Sequence, residues 1–371
     1  MRLKKILVLV CICFVSISSA QLKDPLNIYR KEKEKTHVLE HTKLKVSFDF
    51  ENKELDGEAW ITMRPYFYES KMVVLDAKAM LIHSISLDNK KIEFFSYDDA
   101  QIQIELPKTY TKEESFTLHI VYTARPEKVQ QKGSSAITQA KGLYFINADG
   151  SDTEKPTQIW TQGETEASSC WFPTIDSPNQ KTSQEIYMTV PSRFKTLSNG
   201  KLESQTTNTD GTRTDYWNFT QKHAPYLFFM GVGEFEIVKD SYKNIPIEYY
   251  VEQKYATYAK DIFGDTPEMM AFFSKITGIE YPWNKYSQLV GRDYVSGAME
   301  NTTAVIHGEH AYQTPGQLID ENTHENTIAH ELFHHWFGDL VTAESWSNLT
   351  LNESFANYSE YLWREHKYGK E

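Results

Sequence analysis

Beyond its first stretch the chain alternates. From Leu44 to Phe50 every second residue is apolar, with Leu44, Val46, Phe48 and Phe50 standing between polar neighbours. Ile102, Ile104 and Leu106 repeat that spacing, as do Phe116, Leu118, Ile120 and Tyr122. A period of two puts one face in a core and the other in water, so these segments predict half-buried strands of one antiparallel β domain. The character changes after the apolar run from Tyr226 to Met230. Helical spacing begins near Gln253, which places a domain boundary near residue 236. No internal repeat or long low-complexity linker interrupts either half.

Residues 1–20 read differently. A basic start (Arg2, Lys4, Lys5), an apolar run from Ile6 to Val15 and a small-residue exit at Ser18, Ser19 and Ala20 make a secretory signal. Its apolar core is too short to span a bilayer. The expected organisation is a signal peptide over 1–20, an N-terminal β domain over 21–236 and a second domain over 237–371. The mature protein is expected to be periplasmic or extracellular, with no stable membrane anchor. Cys11 and Cys13 leave with the signal, so Cys170 stands alone and is expected as a buried free thiol. The net charge of −12 becomes −15 once the three signal cations are removed. That acidity argues against nucleic acid as a partner and for solubility.

Chemistry enters with Ala329 to Asp339, AHELFHHWFGD. In a helix only residues three or four apart share a face. His330 and His334 therefore point together, Glu331 stands beside them, and His335 swings away. This is the H-E-x-x-H spacing of a zinc site with two imidazole ligands and a general base, although histidines can also serve a helix in packing alone. A catalytic zinc takes three protein ligands and leaves one position open. Glu353 follows His334 after eighteen residues, in a segment whose Leu351, Phe355, Tyr358 and Leu362 recur at helical spacing. Gly338 is a plausible stop for the first helix, after which a second helix can return and present Glu353. Asn357 and Glu360 lie on the same face, where partners of the ligands would sit.

At this point the sequence resembles a family, the HExxH-x18-E zinc aminopeptidases that include aminopeptidase N and leukotriene hydrolase. Two further stretches carry the resemblance. GAMEN (Gly297 to Asn301) matches the family's exopeptidase signature, and TQGETEASSCWFP (Thr161 to Pro173) is similar to its amine-binding segment. The resemblance implies an α+β protein, an N-terminal antiparallel β domain followed by a thermolysin-like zinc-peptidase domain incomplete at its C-terminus. It implies one Zn2+ ion held by His330, His334 and Glu353, with Glu331 as general base. Glu300 and Glu164 would bind the ammonium of a peptide with a free N-terminus, Gln162 adding an acceptor, since a buried cation requires opposite charge and hydrogen-bond acceptors. Gly297, Ala298, Met299 and Asn301 complete the implied substrate-binding set, and small side chains at Gly297 and Ala298 allow close approach.

In that family a tyrosine from well beyond the third ligand also stabilises the oxyanion. This chain ends eighteen residues after Glu353, and Tyr358 and Tyr361 are too close to Glu353 on its own helix to serve. A fragment of a longer enzyme is the expectation. Ser354 and Thr350 depart from the glycine and tryptophan usual in the family. Other readings are a zinc endopeptidase, which would lack the paired acids, and an inactive peptide-binding relative, which usually loses the base or a ligand. An epoxide-hydrolase side activity is not specifically requested by any residue. Nothing in the sequence specifies an oligomeric state.

Overall fold

The alternating segments fold as strands whose apolar faces meet. The computed structural model describes residues 33–370, so the signal peptide, Cys11 and Cys13 lie outside the described residues. Strand His37–Asp49 buries Leu39, Leu44 and Val46, and Phe116–Ala124 buries Phe116, Leu118, Ile120 and Tyr122. The largest sheet has eight strands, in spatial order Lys201–Thr207, Thr212–His223, Thr182–Pro191, His37–Asp49, Glu54–Pro65, Phe116–Ala124, Met80–Leu87 and Lys90–Lys91.

Its neighbours pair antiparallel with one exception: His37–Asp49 and Thr182–Pro191 run parallel, Leu44 opposite Ile186. Alternation reports which face is buried and not which way the neighbour runs, so an all-antiparallel sheet was the wrong expectation at this pair. A parallel pair needs a long crossover. The chain between residues 49 and 182 supplies it, and on the way builds a small sheet of Ser70–Asp76, Gln101–Tyr110 and Phe95–Tyr97.

A four-stranded sheet of Lys195–Ser198, Met230–Gly233, Gln158–Thr161 and Leu143–Ile146 lies deeper. Its three strands other than Lys195–Ser198 are buried throughout, so both of its faces are covered. Another sheet runs Glu236–Tyr242, Ile245–Val251, Tyr286–Gly291, Ala304–Gly308 and Ala298–Met299, beginning as an antiparallel hairpin, continuing through two parallel pairs and ending on an antiparallel edge strand. Helices α1 (Ala259–Phe263), α2 (Thr266–Thr277), α3 (Pro315–Asp320), α4 (Glu325–Phe333) and α5 (Thr350–Tyr368) follow or interleave with it.

Residues from Glu34 onward form one compact unit. One apolar core runs from Leu39 and Ile61 through Trp160 and Phe228 to Leu289, Val295, Met299 and Ile306. The β-rich half therefore meets the second half through a continuous hydrophobic core. Cys170 is a buried free thiol, as its isolation implied. Among the described residues no helix is long and apolar enough to cross a membrane.

Candidate active site

Helix α4 carries His330 and Glu331, and His334 caps its end. Its inward positions Ile328, Ala329, Leu332 and Phe333 are buried, and Glu325 in its first turn suits the positive end of the helix dipole. The Glu325 carboxylate also accepts bonds from Trp363 Nε1 at 2.5 Å, Tyr368 Oη at 2.8 Å and Lys367 Nζ at 3.1 Å. These bonds pin the far end of α5 to the start of α4, leaving the first turn of α5 beside the end of α4. The α-helix stops at Phe333, earlier than Gly338, and His334 occupies the cap with helical φ and ψ. Gly338, at φ +137, takes up the reversal that follows.

Three donors converge there. His330 Nε2 lies 3.0 Å from His334 Nε2 and 3.4 Å from Glu353 Oε2, and His334 Nε2 lies 3.7 Å from Glu353 Oε1. Bonds of about 2.0–2.1 Å to a tetrahedral ion would put its donors roughly 3.3–3.4 Å apart, so the spacing fits. The protons fit as well. His330 Nδ1 donates to Glu360 Oε1 at 2.9 Å and His334 Nδ1 to the Phe337 carbonyl at 2.9 Å. Each neutral ring then turns a lone pair on Nε2 toward the other ring and toward a carboxylate, an arrangement that only a cation relieves. Burial lowers the His330 pKa, but bonds to Glu353 and Glu360 outweigh it and push the group up to about 11, so the pocket favours positive charge at this point. His335 does not join. Its Nδ1 donates to the Glu331 carbonyl at 3.2 Å and its Nε2 accepts from Thr303 N–H at 3.0 Å.

Glu360 holds the His330 ring through its second nitrogen, and where such a ring ligates a metal, partners of this kind typically contribute 10–100-fold to metal affinity. Glu360→Ala should weaken zinc retention by about that factor against a competing chelator while the helical circular dichroism stays unchanged.

Helix α5 forms where its spacing predicted, and the largest of its periodic residues are not the ones it buries. Phe355 stacks on Phe337 at 4.4 Å yet stays 45% exposed, and Tyr358 is 57% exposed. The buried face is Asn352, Ala356, Ser359 and Trp363. Small residues let the backbone of α5 come close to its neighbours, and that closeness brings Glu353 within reach of both imidazoles.

Opposite the three donors lies Ala298–Met299, the edge strand of its sheet. A Cβ at Gly297 would meet nothing within 4 Å, while the Gly297 carbonyl accepts from Gly308 N–H at 2.9 Å. Glu164 arrives from the β-rich half on a loop held against the 3-10 turn Pro225–Leu227: Ser168 Oγ donates to the Pro225 carbonyl at 2.8 Å. Gly163 permits this approach, since a Cβ there would sit 2.2 Å from the Tyr226 carbonyl oxygen. Glu164, Gly297, Ala298, Met299, Glu300, His330, Glu331, His334 and Glu353 all line one cavity of about 390 Å³.

Two expected members are turned away. Gln162 is buried off the cavity wall, its Oε1 accepting from the Tyr294 hydroxyl and its Nε2 reaching Met299 Sδ at 3.2 Å. It braces Met299 and offers no acceptor to the cavity. Asn301 is also buried and absent from the wall, because it follows the end of the edge strand where the chain turns inward.

The acids of the cavity share a field. Burial, reinforced by Glu300 and Glu353, raises Glu164 well above the usual carboxylate range. Burial and then Glu353 push Glu300 up to about 7. Burial also raises Glu331, against the pull of His330, and its Oε2 has no hydrogen-bond partner among the described residues. Glu353 goes the other way, since the two imidazoles outweigh its burial. An entering ammonium would relieve the repulsion among Glu164, Glu300 and Glu331. Glu300, Glu331 and His334 also present donor atoms within 4.8 Å of one another, so Glu331 stands between the amine side and the metal side.

Sequence reasoning missed Ala136, Ile137, Ser296, Thr327 and Leu349 on the wall. Thr327 was within reach of a spacing argument, one helical turn before His330 and Glu331. Ile137 carried no signal. Its loop arrives through Thr138, whose N–H and Oγ1 both reach the Val295 carbonyl at 3.0 and 3.1 Å. No tyrosine of the described residues lines the cavity.

Comparison with known proteins agrees with this geometry. Residues 38–227 match the Peptidase M1 N-terminal domain and residues 262–371 the Peptidase family M1 domain. The chain is 26% identical to Probable aminopeptidase 1 of Saccharolobus solfataricus over 324 residues, 86% of this chain and 38% of the relative. It is 35% identical to the Glutamyl aminopeptidase of Bos taurus over 203 residues, 52% of this chain and 20% of the relative. The crystal structure of Legionella pneumophila aminopeptidase A in complex with aspartic acid superposes with a TM-score of 0.77 at 20% identity, over 91% of this chain and 39% of that one. That likeness carries the fold, and the chain spans only a fifth to two fifths of these proteins' lengths. The aminopeptidases of the family are zinc metalloenzymes. With both family domains matched in order, this chain belongs to peptidase family M1.

Proposed function

We propose that this chain carries the metal and amine sites of a zinc aminopeptidase that removes N-terminal residues from peptides. The observation that carries the proposal is the meeting of Glu164 and Glu300 in one cavity with His330, Glu331, His334 and Glu353. One zinc ion held by His330, His334 and Glu353 would supply polarisation of the scissile carbonyl and of the attacking water. The protein's own groups do the rest. Glu300 and Glu164 hold the substrate ammonium, and the edge strand Ala298–Met299 offers main-chain groups to an extended peptide. Glu331 takes a proton from the attacking water and passes it to the leaving amine. An ammonium anchored on these acids leaves only the first peptide bond beside the base.

The full-length protein should cleave an aminoacyl anilide only when zinc-loaded and leave its N-acetylated twin intact. A zinc endopeptidase would cut a blocked peptide at internal bonds, and an inactive relative would cut neither. Export also belongs to this reading, supported by the basic, apolar and small-residue order of residues 1–20. Amino-terminal sequencing of the exported protein should begin near Gln21; an intact Met1 would overturn it.

A further inference from the structure

Lys285 sits in the interior with its donors directed at main-chain carbonyls instead of a carboxylate. It is 4% exposed, its Nζ donates to the Ser198 carbonyl at 2.8 Å and the Thr303 carbonyl at 2.9 Å, and the Trp217 ring lies 5.2 Å away. A buried ammonium is expensive unless its bonds are satisfied, so so costly a group joining these two carbonyls needs a reason.

The reason lies in what the two carbonyls belong to. Ser198 ends strand Lys195–Ser198 of the four-stranded sheet, whose strand Gln158–Thr161 leads directly to Glu164. Thr303 follows Glu300 by three residues. Its backbone is held at φ +66, a left-handed conformation that a β-branched residue adopts only where its surroundings impose it. Every polar group of Thr303 is engaged. Its N–H donates to His335 Nε2 at 3.0 Å, its carbonyl accepts from Ser287 N–H at 3.0 Å as well as from Lys285, and its hydroxyl accepts from Gly200 N–H at 2.9 Å. One residue earlier, the Thr302 carbonyl accepts from Asn199 Nδ2 at 2.7 Å. His335 in turn donates to the Glu331 carbonyl. Three separate segments thus meet at one strained residue: the corner 198–200 tied to the Glu164 side, the turn after Glu300, and the helix end that carries Glu331 and His334.

We propose that Lys285 and Thr303 are positioning residues that fix Glu300 relative to Glu164 and to the metal-binding helix, and so set how strongly the site prefers a free α-amine. The inference rests on the amine-binding role given above to the two glutamates. Neither residue lines the cavity; both act through the segments they join.

Binding to two zinc-seeking probes separates the possibilities. Leucine hydroxamate engages the metal and offers an ammonium, whereas N-acetyl-leucine hydroxamate engages the metal alone. Calorimetry on the zinc-loaded full-length protein should show the free amine preferred by about 10²-fold or more. Lys285→Met keeps most of the side-chain volume and removes both bonds. It should narrow that preference at least tenfold, with zinc content and affinity for the acetylated probe unchanged within about twofold. A merely structural lysine would lower the melting temperature and leave the ratio intact, and that result overturns the inference. Should Lys285→Met not fold, Thr303→Ala decides by the same ratio, with an expected narrowing of about three- to tenfold because the hydroxyl's bond from Gly200 and its long 3.5 Å contact with Lys285 Nζ are lost while the carbonyl bonds remain. A wild type without preference overturns the amine-binding reading and this inference together, and it is recognised before any variant is made.

Discussion

Glu331→Gln in the full-length protein should keep its zinc and lose about 10²–10⁴-fold in turnover, the range typical of a missing proton-transfer group. That loss corresponds to about 3–5 kcal/mol of barrier. The separation of the two effects follows from the geometry. The proposed metal donors are His330, His334 and Glu353, each with a nitrogen or oxygen turned to one point, and Glu331 holds an unpartnered Oε2 on the same cavity wall. The alternative grouping of Glu300, Glu331 and His334 also converges, so metal analysis beside kinetics on an aminoacyl anilide decides the role. Zinc lost along with activity would make Glu331 a ligand. Zinc retained with full turnover would remove it from the chemistry.

Much of this site was legible because helical spacing is a strong constraint. Residues four apart on α4 must share a face, and a third ligand on a returning helix needs only enough chain to turn, which residues 335–349 provide. Strand alternation was equally legible, since it is fixed by what a half-buried face demands. Direction and depth were not. The parallel pairing of Leu44 with Ile186 depends on a partner far along the chain. Helical spacing announced α5 but not its inward face, because close approach selects Asn352, Ala356 and Ser359 over the larger Phe355 and Tyr358. Gln162 and Glu164 are two apart on one loop, but the loop turns Gln162 toward Tyr294 and Met299 and only Glu164 toward the cavity. A motif gives the composition of a site, and packing decides which of its members face the substrate.

Removal of the Glu300 carboxylate should cost a free-amine substrate on the order of 2–5 kcal/mol, because the ammonium is then left half paired in a desolvated cavity. The cost should fall on kcat/KM for free-amine peptides and spare zinc binding, if His330, His334 and Glu353 hold the ion as proposed. Glu300 is 4% exposed and Tyr226 Oη donates to its Oε1 at 3.3 Å, so Glu300→Gln holds the shape and this bond while removing the charge, and it is the cleaner variant. Glu164→Gln should act in the same direction from the opposite side of the cavity. The double variant should lose less than the sum of the two, because once one acid is gone the other faces a cation it can no longer fully balance and whose binding is already impaired. Their shared field supports that coupling, Glu300 being among the groups that raise Glu164. The measurement is a double-mutant cycle on kcat/KM for a peptide and its N-acetylated twin. Strictly additive losses, or equal losses on both peptides, would mean that the two glutamates do not grip one ammonium and that selectivity for chain ends arises elsewhere.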